Sequence, residues 1–205
     1  MKTVEKIILL SKNYMGAIQG DSIHKEIIDK YNEYKPLPRG YKVKYTDAWC
    51  ATFISSLSIQ LGYTDIIPPE CSCYWMIKQF KELGVYKADK DYIPKVGDII
   101  FYDWDNNSTP DHVGLVEKCE GHIIVVIEGN RSKRVDKRTL EVGSKYIYGY
   151  AIPKYDKPQV EVSEWAINYW NKAIQMKIID GTNPKGIATR EQVITILGRL
   201  GLLDN

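Results

Sequence analysis

The sequence predicts an α+β protein whose helices precede an antiparallel sheet. Apolar residues recur at helical spacing up to Leu83, whereas β-branched and aromatic runs dominate from Val96 to Ile152. Helices followed by a run of strands are typical of this class. A polar, proline-punctuated segment then leads into two more amphipathic stretches. We therefore expect a first domain over residues 1–153, a linker over 154–160 and a small helical module over 161–205.

Length and charge exclude several classes of protein. The 205 residues suffice for one full domain and a small appendage. Because 28 basic residues nearly balance 26 acidic ones, we expect no nucleic-acid partner. The apolar run Ile7–Leu10 is too short for a signal peptide or a membrane span. The sequence thus predicts synthesis in the cytoplasm, no membrane insertion, and free thiols at its cysteines.

The first two helices are expected over residues 3–15 and from Asp21-Ser22 to about Tyr34. The proline-rich segment Pro36–Gly40 then forms a loop. A later helix is expected from Ser72 or Cys73 to Leu83. Four strands are expected at 96–104, 111–118, 122–128 and 146–152, and two tail helices at 163–176 and 189–200.

A chemical reaction would depend on a further helix, which is expected between the loop Pro36–Gly40 and the helix that starts at Ser72 or Cys73. Asp47 is a good N-cap and Gly62 a natural stop, so Cys50 falls at the third helical position. Its backbone N–H has no partner within the helix, and the positive end of the helix dipole lies alongside. A thiol so placed has a lowered pKa and a donor ready for an oxyanion. The alternative is that Cys50 is a small hydrophobic residue of the core.

A cysteine nucleophile needs a base, and the chain has three histidines. His24 stands among charged residues and is expected to be solvated. His122 follows the Glu120-Gly121 turn and is expected to be exposed. His112 opens a strand after a polar loop, so it is the candidate base.

The hairpin after His112 predicts its partners. A three-residue loop ending at Gly121 would pair Lys118 with His122, and in the same register His112 with Glu128. Directly opposed residues share a face, and Asn130 lies on it too. A two-residue turn would shift the register by one and turn Glu128 away. In the structural alternative Glu128 is an exposed strand end and His112 a capped loop residue.

Together these residues predict cysteine-dependent chemistry. His112 would take the proton of Cys50 or hold its thiolate as an ion pair. Glu128 or Asn130 would bind the other ring nitrogen, fix its tautomer and stabilise the imidazolium.

Four blocks resemble a known family: DAWCATF at 47–53, VGDIIF at 96–101, DHVGLV at 111–116 and IEGN at 127–130. Over roughly residues 20–153 they are similar to the CHAP domain, the cysteine, histidine-dependent amidohydrolases/peptidases. The resemblance implies a papain-like fold of the NlpC/P60 superfamily and peptidoglycan hydrolysis, as N-acetylmuramoyl-L-alanine amidase or endopeptidase. It implies Cys50 as nucleophile, His112 as base, Glu128 as its orienting residue and Asn130 as a further polar group of the active site.

No cofactor or metal is expected. Some CHAP domains bind calcium just before the cysteine, but residues 41–49 offer only Asp47. Cys71 and Cys73 have no nearby histidines to complete a zinc site.

The tail resembles a single S-layer-homology-like motif, carried by Trp165-Ala166, Lys177–Gly181 and Ala188–Gln192. Such motifs usually occur in threes and recognise cell-wall polymers, so one copy implies wall binding or self-association through residues 161–205. The alternative is a helical pair that only packs on the first domain. The basic segment 131–138 is expected as a solvated loop, with contact to anionic wall polymers as the alternative.

The sequence as a whole predicts a phage or prophage endolysin that reaches the wall after release from the cytoplasm. Two rivals remain. One is a non-catalytic wall-binding or assembly protein on the same fold; the other is a cysteine peptidase or transglutaminase-like enzyme that acts on proteins.

Overall fold

The computed structural model describes residues 1–156, 162–176, 178–179, 186 and 188–203. The chain forms two compact units, Met1–Asp156 and Lys157–Asn205. The expected linker starts at residue 154, but Tyr155 still belongs to the first unit because its hydroxyl donates to the Gly97 carbonyl at 2.8 Å. Among the described residues, no helix has the length and apolar character needed to cross a membrane.

The first unit has four helices and six strands. The helices are α1 (Val4–Asn13), α2 (Ser22–Glu33), α3 (Cys50–Leu61) and α4 (Cys73–Glu82), with a short 3-10 turn at Pro38–Gly40. The strands are β1 (Tyr86–Lys87), β2 (Ile99–Tyr102), β3 (His112–Glu120), β4 (Ile123–Arg131), β5 (Arg134–Glu141) and β6 (Ile147–Ala151). All pairings are antiparallel, in the order β1-β6-β2-β3-β4-β5.

Helix α3 lies in the core against the sheet. Trp49, Phe53, Ile54 and Leu57 are fully buried. At Gly129 of β4, a Cβ atom would lie 2.7 Å from Cγ of Phe53, so only glycine allows this close approach of strand and helix. The predicted α+β class is confirmed. A buried helix that starts at a cysteine and packs on an antiparallel sheet that carries the histidine fits the expected papain-like arrangement.

Helix α3 does not begin where the sequence predicted. Its first residue is Cys50, preceded by Trp49 at the N-cap position. Asp47 was expected as the cap, but its carboxylate instead accepts from the backbone N–H of Lys44 and the Tyr41 hydroxyl, each at 2.8 Å. Because Cys50 is now the first helical residue, its N–H still has no partner within the helix. The predicted C-terminal stop is confirmed, since Gly62 has φ 68°.

The predicted register of the β3–β4 hairpin is wrong. The strands join through a two-residue turn, with Glu120 opposite Ile123, rather than through the expected three-residue loop. That turn alone would face Glu128 away from His112. A bulge between Val116 and Lys118 adds one residue to β3 and reverses the side-chain alternation again. Glu128 therefore reaches the expected face through two compensating irregularities.

Strand β5 was not predicted. The segment 131–138 was expected as a solvated loop, but Arg134–Glu141 pairs with β4 along the edge of the sheet. Charged residues on an edge strand hide the usual apolar alternation and discourage pairing with other chains. Three basic residues of the segment 131–138 form ion pairs: Arg131 with Asp136, Lys137 with Glu117 and Arg138 with Glu128.

In the second unit, a 3-10 turn at Glu164–Ala166 leads into α5 (Ile167–Gln175), and α6 spans Arg190–Arg199. Thr189 and Gln192 form a capping box at the start of α6. Of the S-layer-like blocks, Lys177, Asp180 and Gly181 lie outside the described residues.

Candidate active site

Cys50 is almost wholly enclosed, with 5% of its surface exposed. Its pKa lies well below the ordinary value. A hydrogen bond with Cys73 has the largest effect; burial opposes it, and interaction with His112 and the N–H of Ala51 adds to it. The side chain is thus prepared to hold a negative charge at the positive end of α3.

Cys73 is the second thiol of the site and was not predicted. It is the first residue of α4, and its Sγ lies 3.7 Å from Sγ of Cys50. The hydrogen bond with Cys50, together with burial, raises the pKa of Cys73 well above its ordinary value. Of the two, Cys73 therefore keeps its proton and donates a hydrogen bond to the Cys50 sulfur.

His112 and Glu128 form the second half of the site. Nε2 of His112 lies 3.0 Å from Oε2 of Glu128, which leaves Nδ1 for Cys50. Burial disfavours a charged ring, but interactions with Cys50 and Glu128 outweigh it and raise the pKa of His112 to about 9. Glu128 has no exposed surface, yet hydrogen bonds from His112 and Arg138 lower its pKa against the effect of burial.

Arg138 satisfies the other oxygen of that carboxylate. Its Nε donates to Oε1 of Glu128 at 2.7 Å. In the register of β4 and β5, Arg138 stands opposite Val126, two residues from Glu128 and on the same face. The sequence does not point to Arg138, because its strand has the charged composition of a solvated loop. One sequence feature does indicate such a partner: a buried carboxylate needs a cation, and the segment 131–138 is rich in basic residues.

Stacked rings fix the plane of the imidazole. Tyr102 stands opposite His112 in the register of β2 and β3, and their ring centroids lie 5.8 Å apart with an interplanar angle of 28°. Trp104 stacks on Tyr102 at 4.7 Å, and the Arg138 guanidinium lies 4.4 Å over the Trp104 ring. The same guanidinium binds Glu128, so the contacts close a loop around His112.

Gly114 provides the space for Glu128. A Cβ atom at position 114 would lie 2.8 Å from Cγ of Glu128 and would also collide with Val126. The absence of a side chain lets the carboxylate pass across β3 toward His112.

The structure separates the other two histidines from this group. His122 is exposed, as predicted. The prediction of a solvated His24 is wrong: it is fully buried, accepts from the N–H of Gly20 at 3.0 Å, and packs edge-on to Trp49 with centroids 4.8 Å apart. Burial lowers the pKa of His24, so its ring is neutral, and it packs behind the start of α3.

Asn130 lies beyond Glu128 in a second irregularity of β4, with φ 60° and a half-buried side chain. Within the described part of the chain no hydrogen bond joins its side chain to Cys50, His112 or Glu128. Its role stays a prediction.

Glu70 holds the loop that precedes α4. This carboxylate is 1% exposed; it accepts from Nη2 of Arg39 at 2.8 Å and from the N–H of Cys71 at 2.7 Å. The hydroxyl of Ser55 in α3 donates to the backbone carbonyl of Glu70 and accepts from the backbone N–H of Glu70. These bonds fasten the start of α4, and with it Cys73, to the helix that carries Cys50.

The loop before β3 gathers three carboxylates, those of Asp103, Asp105 and Asp111, the one potential metal cluster within the described residues. All three already accept hydrogen bonds within the loop. Asp105 accepts from the backbone N–H of Asn107 at 3.2 Å and from its side-chain Nδ2 at 2.9 Å. Asp103 accepts from the N–H of Ser108 at 2.8 Å, and Asp111 accepts from the N–H of Trp104 at 2.6 Å. They shape the turn that delivers His112 to the site.

An open groove of about 270 Å³ begins beside this site. It is lined by Arg39, Tyr41, Val43, Asp47, Ala48, Cys71 and Ser72. Ala48 lies two residues before Cys50 and Ser72 directly before Cys73, so the groove runs to the starts of both helices. Its lining includes a cationic, an aromatic and an acidic side chain (Arg39, Tyr41 and Asp47), which suit contact with a polymer that carries polar groups.

Solved structures that resemble the chain include the crystal structure of Ly7917 (12% identity, TM-score 0.46) and that of Ly7917 with the hydrolyzing product of MDP (13%, TM-score 0.41). Both alignments cover 74% of this chain, which spans only 62% and 63% of those structures. No curated protein matches the sequence significantly. The family model described as CHAP domain matches residues 40–130, the segment that contains Cys50, His112, Glu128 and Asn130.

Proposed function

We propose that this protein hydrolyses an amide bond of bacterial peptidoglycan with Cys50 as nucleophile. One observation carries the proposal: Cys50 begins a buried helix and interacts with His112, whose ring is held by the fully buried carboxylate of Glu128. Structural cysteines are inert, whereas this thiol has a lowered pKa and an imidazolium partner.

The reaction follows from the charges. The thiolate of Cys50 attacks the carbonyl carbon, and the backbone N–H of Cys50 donates to the oxyanion that forms. The His112 imidazolium gives its proton to the leaving amine, and a thioester remains on Cys50. The neutral ring of His112 then takes a proton from water, which attacks the thioester and releases the carboxylic acid. Glu128 holds the ring in one orientation throughout.

The CHAP match over 40–130 supports peptidoglycan as the substrate class. The groove beside Ala48 and Ser72 has room for the polar peptide that flanks the scissile bond. The proposal covers N-acetylmuramoyl-L-alanine amidase and endopeptidase alike. We further propose the role of an endolysin, which acts on the wall after release from the cytoplasm.

For the second unit we propose wall binding or self-association. Trp165 and Tyr169 are 83% and 79% exposed. Aromatic side chains so exposed suit contact with sugar rings or with another copy of the chain.

The direct test combines clearing of purified cell walls with mass spectrometry of the fragments. The wild type should release new stem or cross-bridge amino termini, or free muramic lactyl groups, which separates the two bond specificities. Cys50→Ala should abolish release while its circular dichroism spectrum stays native, and Cys119→Ser, remote from the site, should keep full activity. Undiminished release by Cys50→Ala would refute the assignment.

The same preparations separate the rivals. A cysteine peptidase of proteins would cleave casein and leave walls intact. A non-catalytic wall protein would sediment with walls and release nothing.

A further inference from the structure

The two thiols at the starts of α3 and α4 form a pair. Cys50 and Cys73 are both free, both buried, and their sulfurs lie 3.7 Å apart. Hydrolysis by Cys50 and His112 needs no second thiol. The nearness of Cys73 therefore calls for its own chemical account.

The pair can close without a large movement. A disulfide has an S–S length of about 2.05 Å, so the sulfurs must approach by about 1.7 Å. Both residues occupy the first position of a helix, where rotation of the side chain disturbs no hydrogen bond of the helix interior. The Glu70 contacts fasten the start of α4 to Ser55 of α3.

The two sulfurs differ in chemistry. The pKa of Cys50 is lowered and that of Cys73 is raised, so a thiolate stands beside a protonated thiol. Thiolates are the form that peroxides oxidise, and a neighbouring thiol resolves the product. The remaining cysteines differ from Cys50, since burial raises the pKa of both Cys71 and Cys119 and so disfavours their thiolates.

We propose that Cys50 and Cys73 form an oxidative modification site, at which a hydroperoxide converts the two thiols into an intramolecular disulfide. The Cys50 thiolate attacks the terminal oxygen of the hydroperoxide and the O–O bond breaks. An alkoxide departs (hydroxide in the case of hydrogen peroxide), and Cys50 becomes a sulfenic acid. The Cys73 sulfur then attacks the Cys50 sulfur and displaces the hydroxyl group, which leaves as water with the proton of Cys73. Each sulfur gives up one electron and the peroxide takes both.

Two consequences follow. Cys73 captures the sulfenic acid before more peroxide drives it to the irreversible sulfinic acid. Where the proposed hydrolysis holds, the disulfide also occupies the nucleophile, so oxidation stops the reaction and a dithiol reductant restores it.

The experiment treats the full-length protein with hydrogen peroxide, alkylates the remaining thiols and maps the peptides by mass spectrometry. We expect a peptide pair joined through Cys50 and Cys73, with the loss of two hydrogen atoms from the intact mass. Cys71→Ser should give the same product. Cys73→Ser should instead gain oxygen atoms at Cys50, and dithiothreitol should fail to remove part of them.

A bond from Cys50 to Cys71 or Cys119, or oxygen addition at Cys50 of the wild type with no linked peptide, would overturn the site. The wild-type map alone decides this, whatever the stability of Cys73→Ser. Wall release, measured before oxidation, after it and after dithiothreitol, tests the proposed function separately. A linked pair in a protein whose reduced form releases nothing would leave the site standing and remove the hydrolase.

Discussion

Oε2 of Glu128 lies 3.0 Å from Nε2 of His112, although the strand register places Glu128 two residues away from the position opposite His112. The carboxylate reaches the ring along a diagonal across Gly114. Such diagonal neighbours are within reach only of long side chains, so a glutamate fits here and an aspartate would not.

Glu128→Gln should slow wall hydrolysis by about two orders of magnitude, because general acid–base catalysis depends on the orientation and charge of His112. The amide keeps the shape of the side chain but cannot stabilise the imidazolium. Release rates at saturating wall concentration check this. An unchanged rate would show that Glu128 is structural only. Glu141→Gln, an exposed position on β5, serves as the control.

Arg138→Met should lower the free energy of unfolding by about 3 kcal/mol, because it leaves the buried carboxylate of Glu128 with one cation instead of two. It also removes the guanidinium from the Trp104 ring. Arg131→Met is the matched control, since its partner Asp136 is partly exposed and such pairs contribute less than about 1 kcal/mol. Urea unfolding of both variants measures the difference, and equal losses would contradict the prediction.

Gly114→Ala should inactivate the protein without unfolding it. The added methyl group would press on Glu128 and Val126, which costs about 1–3 kcal/mol and displaces the carboxylate from His112. Gly121→Asn is the control, because its φ of 58° suits asparagine and no atom lies near its Cβ position. Full wall release by Gly114→Ala would show that Glu128 does not need this passage.

The sequence alone predicted the helix that carries Cys50 and the face that joins His112 to Glu128. The second prediction was right for an incomplete reason. The bulge at Glu117 compensates for the change of register that the shorter turn produces. The local sequence does not predict this bulge, because pairing with neighbouring strands determines where a bulge forms.

Three other features of the structure differ from the prediction or are absent from it, each for a different physical reason. His24 has the helical spacing of Ile27, Ile28 and Tyr31, which predicts burial, whereas its charged neighbours in the sequence predict exposure. Strand β5 is an edge strand with alternating charges, a pattern that resembles a loop. The contact of Cys73 with Cys50 depends on the tertiary packing of two helix starts, which spacing along the chain does not encode.

The pH dependence of hydrolysis should follow the ion pair between the Cys50 thiolate and the His112 imidazolium. The raised pKa of His112 keeps the ring protonated up to about pH 9, so the rate should fall as pH rises through that value. The lowered pKa of Cys50 places the acid limb far below the ordinary thiol range. Glu128→Gln should move the alkaline limb to lower pH, since the carboxylate helps to hold the proton. An alkaline limb near 6.5 in the wild type would contradict the ion pair.

The exposed aromatic residues of the second unit make the last prediction. The double variant Trp165→Ala/Tyr169→Ala should reduce sedimentation with purified walls at least tenfold, or convert an oligomer to a monomer in analytical ultracentrifugation, while the release of soluble muropeptides from fragmented walls stays unchanged. The reason is that both side chains are about four-fifths exposed and add nothing to packing within the described part of their unit. Lys172→Ala on α5 is the control, since it removes another exposed side chain of the same segment without removing an aromatic ring. Unchanged wall binding together with an unchanged sedimentation coefficient would remove both proposed roles of this surface.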